Sequence, residues 1–550
     1  MNNNFWLEIN GRSDFPDIGL PHKVDLSDDN YAILGYFSSF EDRFDKIDLL
    51  EEVKKYGFKR ITNSNCIFVL FFFDKRNQTL LVAVDQFLSF SCYFSIFDNR
   101  LIFSSSFGQI KSEVRKTHSL KVDSDFLMSL LLWEFHNTDH TLVNQIRIIP
   151  GGAQAAFDLK NPKLTNIVTN VDVNAFYSSI KTKKYKSLEE FSQDWLELLN
   201  DVVKRRVEQV PKGFKIGCDI SSGFDCTLVS YCLSQNLPIG GFSGYSNYSK
   251  IMGDENSPDV VKRFCQMHHI PLTPFDYTQH TLHLNDPDQD WHREHAVNSF
   301  SYVHHKEYIN FLNKDDIRIL FTGEYGDESY DMKNMELFSR FPIQHSFFDT
   351  IIALYRRLRK DLYTDEAISI FQKKNRFQSR GYYPLIVPSK SASAYLSLSE
   401  AYADFGIIQI NPFSDTRLLA LSSQVPLPDG VEPDKTKGLL MPYYKNIMPE
   451  NYIAQSNAGE PFLQLFINQK PFVLKVLSRS VLAKLGLLNT SCLFLAKKVT
   501  KKHQPPLPAH QPSNVARSIP FQKTFSLISE SSRYRIVFGG RRTRSPCGKL

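Results

Sequence analysis

At 550 residues the chain exceeds what one hydrophobic core normally supports, and its 42% apolar content is ordinary for a folded globular protein. The net charge of +6 is uneven: residues 497–550 hold 12 of the 65 Lys and Arg but only Glu530 of the 59 acidic side chains, so the preceding body is mildly acidic. A basic nucleic-acid-binding fold, a membrane span and a secretory leader are therefore not expected, and eight scattered cysteines without paired spacing argue against zinc and for reduced thiols in the cytoplasm.

In chain order, Cys66 to Asp74 is an almost unbroken apolar run and Leu80 to Phe87 another, with turn residues Asp74 to Gln78 between them. Tyr93 to Phe97 and Arg100 to Ser104 flank Asp98-Asn99, a hairpin signal. These short buried-type strands predict a sheet-rich first domain. Ser187-Leu188-Glu189-Glu190 is a capping-box variant opening an amphipathic helix through Val207. Ser257-Pro258-Asp259 starts a helix through Met267, and Pro238 to Phe242 reads as a strand between them. Repeated strand–helix alternation from here on predicts a parallel sheet. Pro505-Pro506-Leu507-Pro508 and Arg541-Arg542-Thr543-Arg544 mark a Pro-containing basic tail, read as solvated.

Two stretches carry chemistry. Lys215 to Ile220 is an apolar strand that runs into Ser221-Ser222-Gly223-Phe224-Asp225-Cys226-Thr227 and then an amphipathic run reaching Leu233. A strand, tight turn and helix start of this kind present unpartnered N–H groups and the positive end of a helix dipole, so phosphate is a natural occupant. Ser221, Ser222 and Thr227 offer hydroxyls, and Asp225 suits Mg²⁺ held by phosphate. The GxxxxGK[ST] lysine is absent. An ordinary strand–turn–helix connection has the same form. The second stretch, Ile317 to Phe321, runs into Thr322-Gly323-Glu324-Tyr325-Gly326-Asp327-Glu328, with three carboxylates in five residues. Carboxylates ending two strands of one parallel sheet meet at the edge where open α/β sheets bind ligands, so Asp225 and Asp327 form a candidate Mg²⁺ pair. A solvated acidic turn is the plain alternative.

The first loop resembles the SGGxDS pyrophosphate loop of the ATP pyrophosphatases, with Ser222 replacing a glycine and Cys226 the final serine. Thr322 to Glu328 resembles the SGEGxDE segment of asparagine synthetases. Asn411-Pro412-Phe413-Ser414-Asp415-Thr416-Arg417-Leu418 and Lys435-Thr436-Lys437-Gly438-Leu439-Leu440 resemble that family's PFLDxRL and K-x-[IL]-L segments. With these motifs in order, roughly the first 480 residues resemble the asparagine synthetase superfamily. The early strands and Ile146-Arg147-Ile148-Ile149-Pro150-Gly151-Gly152 are similar to its glutaminase domain.

That resemblance implies an α/β protein with an N-terminal Ntn-type glutaminase-like sheet sandwich, residues 1–185, and an ATP-pyrophosphatase parallel-sheet domain, residues 186–485, followed by the tail, 486–550. The family's glutaminase uses a cysteine exposed as the first residue, with its free α-amine as base. Here Asn2, Asn3 and Asn4 follow Met1, and the nearest cysteine, Cys66, lies in an apolar strand, so an inactive glutaminase is expected. The resemblance further implies that Ile220, Ser221, Ser222, Gly223, Cys226, Gly244, Thr322 and Gly323 contact ATP or its pyrophosphate. It implies that Asp225 and Asp327 hold Mg²⁺, that Lys437 stabilises the transition state and that Glu324 serves the attacking amine. The implied activity is AMP-forming amide ligation of a carboxylate to an amine. With glutamine excluded, the expected reaction is ring or macrolactam closure in natural-product or peptide maturation, as in β-lactam synthetases and lasso peptide cyclases, on a small-molecule or peptide substrate with peptide-maturation partners. Asparagine synthesis from free ammonia and a silent ATP-binding scaffold are the alternatives.

Overall fold

The computed structural model describes residues 4–9, 11–41, 47–123, 126, 139–169, 185–221, 223–248, 257–276, 302–326, 399–423 and 447–449. All of them fall in one unit, Met1–Phe347 with Ile370–Gln464; a second unit, Phe348–Ser369 with Leu465–Leu550, lies outside the described residues, as does the tail.

The first part is an antiparallel sandwich. One sheet contains β1 (Trp6–Glu8), β2 (Ser13–Asp14), β7 (Tyr93–Phe97), β8 (Arg100–Ser104) and β9 (Arg147–Ile148), in the order β2-β1-β8-β7-β9. The other contains β3 (His22–Ser27), β4 (Tyr31–Ser39), β5 (Cys66–Asp74), β6 (Thr79–Val84), β10 (Ala153–Asp158) and β11 (Lys163–Thr169), in the order β11-β10-β6-β5-β4-β3. Strand β5 is apolar throughout because both its faces are covered. Ile67, Val69 and Phe71 face the other sheet, where Phe71 meets Phe5 and Phe103 edge-on at 5.7 and 5.2 Å. Phe68, Leu70 and Phe72 face Leu50 and Val53 of α1 (Leu49–Tyr56) and Ile61 of α2 (Lys59–Thr62). Cys66 is buried there as a strand residue. Helix α3 (Phe107–Arg115) covers the other sheet through Phe107, Ile110 and Val114. The β7–β8 hairpin turns at Asp98 and Asn99, both at positive φ (49° and 58°), the type I′ requirement.

The second part is a parallel sheet of β12 (Lys215–Ile220), β13 (Ser243–Tyr248), β14 (Leu272–Asp276), β15 (Ile317–Phe321) and β16 (Ile408–Ile410), in the order β14-β13-β12-β15-β16. Helix α4 (Leu188–Glu208) opens on the predicted box: Ser187 Oγ accepts from Glu190 N at 3.2 Å, and Glu190 Oε2 accepts from Lys186 N at 2.9 Å. Helices α4 and α5 (Phe224–Asn236) share a core with Cys218 and Ile220 on one side of β12. On the other, α7 (Tyr302–Lys314) packs Tyr308, Ile309 and Leu312 on Tyr245, Ile317 and Leu320. Helix α6 (Ser257–Met267) follows β13 as its sequence predicts.

One strand falls elsewhere. Pro238 to Gly241 is a turn, closed by Gly241 N donating to Pro238 O at 2.7 Å with Gly240 at φ +78°, so β13 starts only at Ser243. Proline and two glycines override the apolar Ile239 and Phe242.

Buried polar bonds join sandwich and parallel sheet. Glu400 accepts from Phe107 N at 2.7 Å and Tyr93 OH at 3.2 Å. Asn65 Oδ1 accepts from Thr416 N and Oγ1, both at 2.9 Å. At the head of β1, Asn4 donates to Asp404 at 2.5 Å and accepts from Ser105 Oγ at 2.9 Å.

Candidate functional site

Numbered within itself, the parallel sheet has the order 3-2-1-4-5, reversing between β12 and β15. In open α/β sheets a crevice forms outside the carboxyl ends of the strands at such a switch point. The loops leaving β12 and β15 are the two that the sequence singles out. Gly223 is the N-cap of α5 and makes no side-chain cap bond, so the N–H groups of the first turn carry the helix's positive end.

The β12 loop is braced from inside. Ser221 Oγ accepts from Gly223 N at 3.0 Å. Thr227 Oγ1 donates toward the carbonyl oxygens of Gly223 and Ser221, at 2.5 and 3.1 Å. Thr227 is therefore a brace and not the ligand hydroxyl that its position in the sequence suggests.

The β15 loop folds directly onto α5. Gly323 C=O accepts from Gly326 N at 3.2 Å, and Tyr325 between them has φ +68°, the type II turn arrangement. A Cβ on Gly323 would lie 2.7 Å from the Asp225 carbonyl carbon, and one on Gly326 would overlap the Asp225 carboxylate. Only glycines permit this approach. Asp225 is thereby held in the first turn of α5, against the β15 loop. Cys226 accepts from Gly323 N, and burial, with Asp219, Asp225 and Glu324 nearby, pushes its thiol far above the usual range, so it stays neutral. Glu324 is exposed, with its N–H bonded to Thr322 Oγ1 at 3.3 Å. Thr322 Oγ1 in turn donates to Asn411 Oδ1 at 2.5 Å.

Ile220, Ser221, Gly223, Asp225 and Cys226 of the β12 loop and α5 start, and Thr322, Gly323 and Glu324 of the β15 loop, thus come together beyond the carboxyl ends of two neighbouring strands. Gly244 does not join them. It is the second residue of β13, paired in register with Cys218 and packed on the Ile220 side chain, which a Cβ there would strike; the strand begins at Ser243, five residues after the start expected at Pro238. Ser222, Asp327 and Lys437 lie outside the described residues. Among the described residues no three His, Cys, Asp or Glu side chains cluster as a metal cage. Of the expected Mg²⁺ pair only Asp225 is described, in the first turn of α5; Mg²⁺ that arrives with phosphates uses one or two carboxylates and keeps its waters.

Three groups escaped sequence reasoning. Asp219, on β12, accepts from Tyr308 OH at 2.5 Å; burial pushes its carboxyl up to about 7 and the Tyr308 bond opposes this. A charged residue inside the apolar run Ile216 to Ile220 was the available signal. Arg206 of α4 is buried over the Phe40 ring and donates to Asn411 O at 2.5 Å; burial lowers it to about 10. Asp415 is buried in a two-bond pair with Arg417, 3.0 Å each, which makes the Pro412 to Arg417 motif a structural corner behind Thr322 and Asn411.

Residues 37–166 match a family described as a glutamine amidotransferase domain. This part of the chain is glutamine amidotransferase-like, and the architecture is α/β, an antiparallel sandwich followed by a parallel sheet. No curated protein matches the chain. Solved structures it resembles include the U34-tRNA thiolase NcsA from Methanococcus maripaludis with its 4Fe-4S cluster, at 14% identity and TM-score 0.20 over 40% of this chain and 84% of that one. Glutamine PRPP amidotransferase from B. subtilis, complexed with ADP and GMP, is 8% identical with TM-score 0.18 over 61% of each chain. The allosteric regulatory enzyme of purine biosynthesis is 8% identical with TM-score 0.18, over 46% of this chain and 62% of that one. The chain spans about three fifths of the length of the last two. Among the described residues, no helix is long and apolar enough to cross a membrane.

Proposed function

We propose that the protein is an ATP-dependent, AMP-forming amide ligase that adenylates a carboxylate and passes it to an amine. The observation that carries this reading is the meeting of the α5 N-terminus and the Gly323–Gly326 turn around Asp225 at the switch point of the parallel sheet. A triphosphate there lies against the first-turn N–H groups, with Ser221 and Gly223 at its pyrophosphate. Asp225, with Asp327 as a second ligand, would hold Mg²⁺, which would supply charge neutralisation at the phosphates. The substrate carboxylate attacks the α-phosphorus, the bond to the bridging oxygen breaks, and pyrophosphate leaves. The amine then attacks the acyl carbon, giving up a proton as AMP departs. Lys437 meets the charge of the first transition state, and Glu324, exposed at the crevice, orients or deprotonates the amine.

In this reading the amine belongs to the substrate rather than to glutamine. Asn4, which precedes β1, is bonded to Asp404 and Ser105, and the described cysteines of the sandwich, Cys66 and Cys92, are buried in its core. Intramolecular closure of a small molecule or peptide, in the cytoplasm and in a natural-product or peptide-maturation setting, accords with this. The domain limits 185/186 and 485/486 belong to the same reading. Pyrophosphate exchange into ATP, screened over aspartate, short carboxylates and leader-bearing peptides, tests it. No exchange with any carboxylate, while Mg·ATP still binds, would leave the silent ATP-binding scaffold in its place, and no Mg·ATP binding would refute both readings.

A further inference from the structure

The turn that carries Glu324 has an unsuitable residue at its tightest point. The third position of a type II turn needs positive φ, which glycine adopts freely and a bulky side chain resists. Here that position is Tyr325, at φ +68° and buried. A tyrosine in this conformation is held by its surroundings. Its ring meets Phe87 edge-on, centroids 5.6 Å apart and planes at 68°.

Phe87 belongs to the sandwich, in the loop after β6, and that loop is anchored on three sides. Asp85 Oδ1 accepts from Phe87 N at 2.9 Å, and its carboxylate also accepts from Ser89 N and from Ser89 Oγ, the latter at 3.1 Å. Gly152 N donates to Asp85 O at 3.0 Å, and the Gln86 side-chain amide donates to Thr62 O. The Phe87 ring is thus presented by a fixed support, whereas the turn it meets is conformationally unfavourable by itself.

We propose that Phe87 is a positioning residue, by which the glutamine amidotransferase-like sandwich clamps Tyr325 and so fixes the Gly323–Gly326 turn of the other sheet. The sandwich then acts on the synthetic site through packing and not by delivering a product to it. The importance of the turn to nucleotide binding rests on the function proposed above; the clamp itself does not.

Hydrogen exchange of the full chain over residues 322–326 tests the clamp, since the Gly326 amide reports the turn directly. Phe87→Ala should speed that exchange at least tenfold while the β5 and β6 amides stay as slow as before. The double variant Phe87→Ala/Tyr325→Gly should return to within threefold of wild type, because glycine holds the turn without a clamp. A merely structural role for Phe87 predicts no such rescue. Exchange unchanged in Phe87→Ala, or a double variant as fast as Phe87→Ala, would overturn the proposal. If Phe87→Ala loosens the sandwich, Phe87→Leu keeps apolar bulk without the ring edge, and the same rescue is required of it. Mg·ATP affinity should follow the same order, about tenfold weaker in the single variant and recovered in the double. A wild type that does not bind Mg·ATP would refute the ligase reading and leave the exchange result to decide the clamp.

Discussion

Asp219 makes stability depend on pH in a direction that can be worked out. Its carboxyl, desolvated on β12 beneath Tyr308, is pushed from an ordinary 3.8 up to about 7. The folded state holds the proton more tightly than the unfolded chain, so this term costs nothing below about pH 4. It grows as the pH rises toward 7 and is a constant penalty above that. A displacement of that size corresponds to an upper limit of about 4 kcal/mol, and water at the partly exposed side of the residue screens part of it, leaving about 2 kcal/mol. Asp219→Asn keeps an acceptor for Tyr308 and removes the charge. We expect the variant to be about 2 kcal/mol more stable than wild type at pH 8, with the advantage falling to about half of that at pH 4.5. Urea unfolding of both proteins across this range, followed by intrinsic fluorescence, gives the difference directly. Groups such as Asp85, raised to about 6 by burial, titrate in both proteins and cancel. A difference that is flat with pH, or a variant less stable at pH 8, would refute the argument.

Asp225→Asn should lower ATP turnover about 100-fold or more without loss of fold, checked by pyrophosphate exchange beside circular dichroism. Lys437→Met should depress turnover with ATP affinity little changed, while Glu324→Gln should spare adenylate formation and slow amide formation; exchange and product assays separate the steps. Gly323→Ala places a methyl against the Asp225 backbone, which cannot move aside as a side chain can, so Mg·ATP titration should show at least tenfold weaker binding.

Much of the architecture was legible because patterning and burial agree. The unbroken run of β5 reads as a strand covered on both faces, which it is, Asp98-Asn99 and Ser187-x-x-Glu190 carry their turn and cap chemistry in the sequence itself, and Ser257-Pro258 marks the start of α6. Pro238 to Phe242 misled because apolar residues inside a proline–glycine turn imitate a short strand, and Gly244 was carried with it. Of the candidate site, the two loops were legible as local motifs, but their meeting depends on the strand order, which no local pattern encodes. The role of Thr227 was misread for the same reason: a hydroxyl in a phosphate-type loop can face either the ligand or the loop's own carbonyls. Phe87 and Arg206 lie more than 100 residues from what they support in the chain, and nothing in their own segments announces it.

The places where the chain departs from the resembled motifs bear on whether the site works. Cys226 stands where the pyrophosphate loop has its final serine, and Tyr325 where the acidic segment has glycine. Changes accumulated in a decaying site have no reason to converge, yet both of these act on one turn. Cys226 receives the Gly323 N–H from below, and Tyr325 is clamped from the side by Phe87. Sulfur is a weaker acceptor than a hydroxyl oxygen, so the lower support is softer. Tyr325 adds an aromatic contact that glycine cannot make, and it does so against a loop that Asp85 holds rigid. The turn thus rests on a sulfur acceptor at Cys226 and on an aromatic contact at Tyr325, with Gly323 and Gly326 packed on Asp225. In the ligase reading proposed above, both departures belong to the support of the turn that carries Glu324.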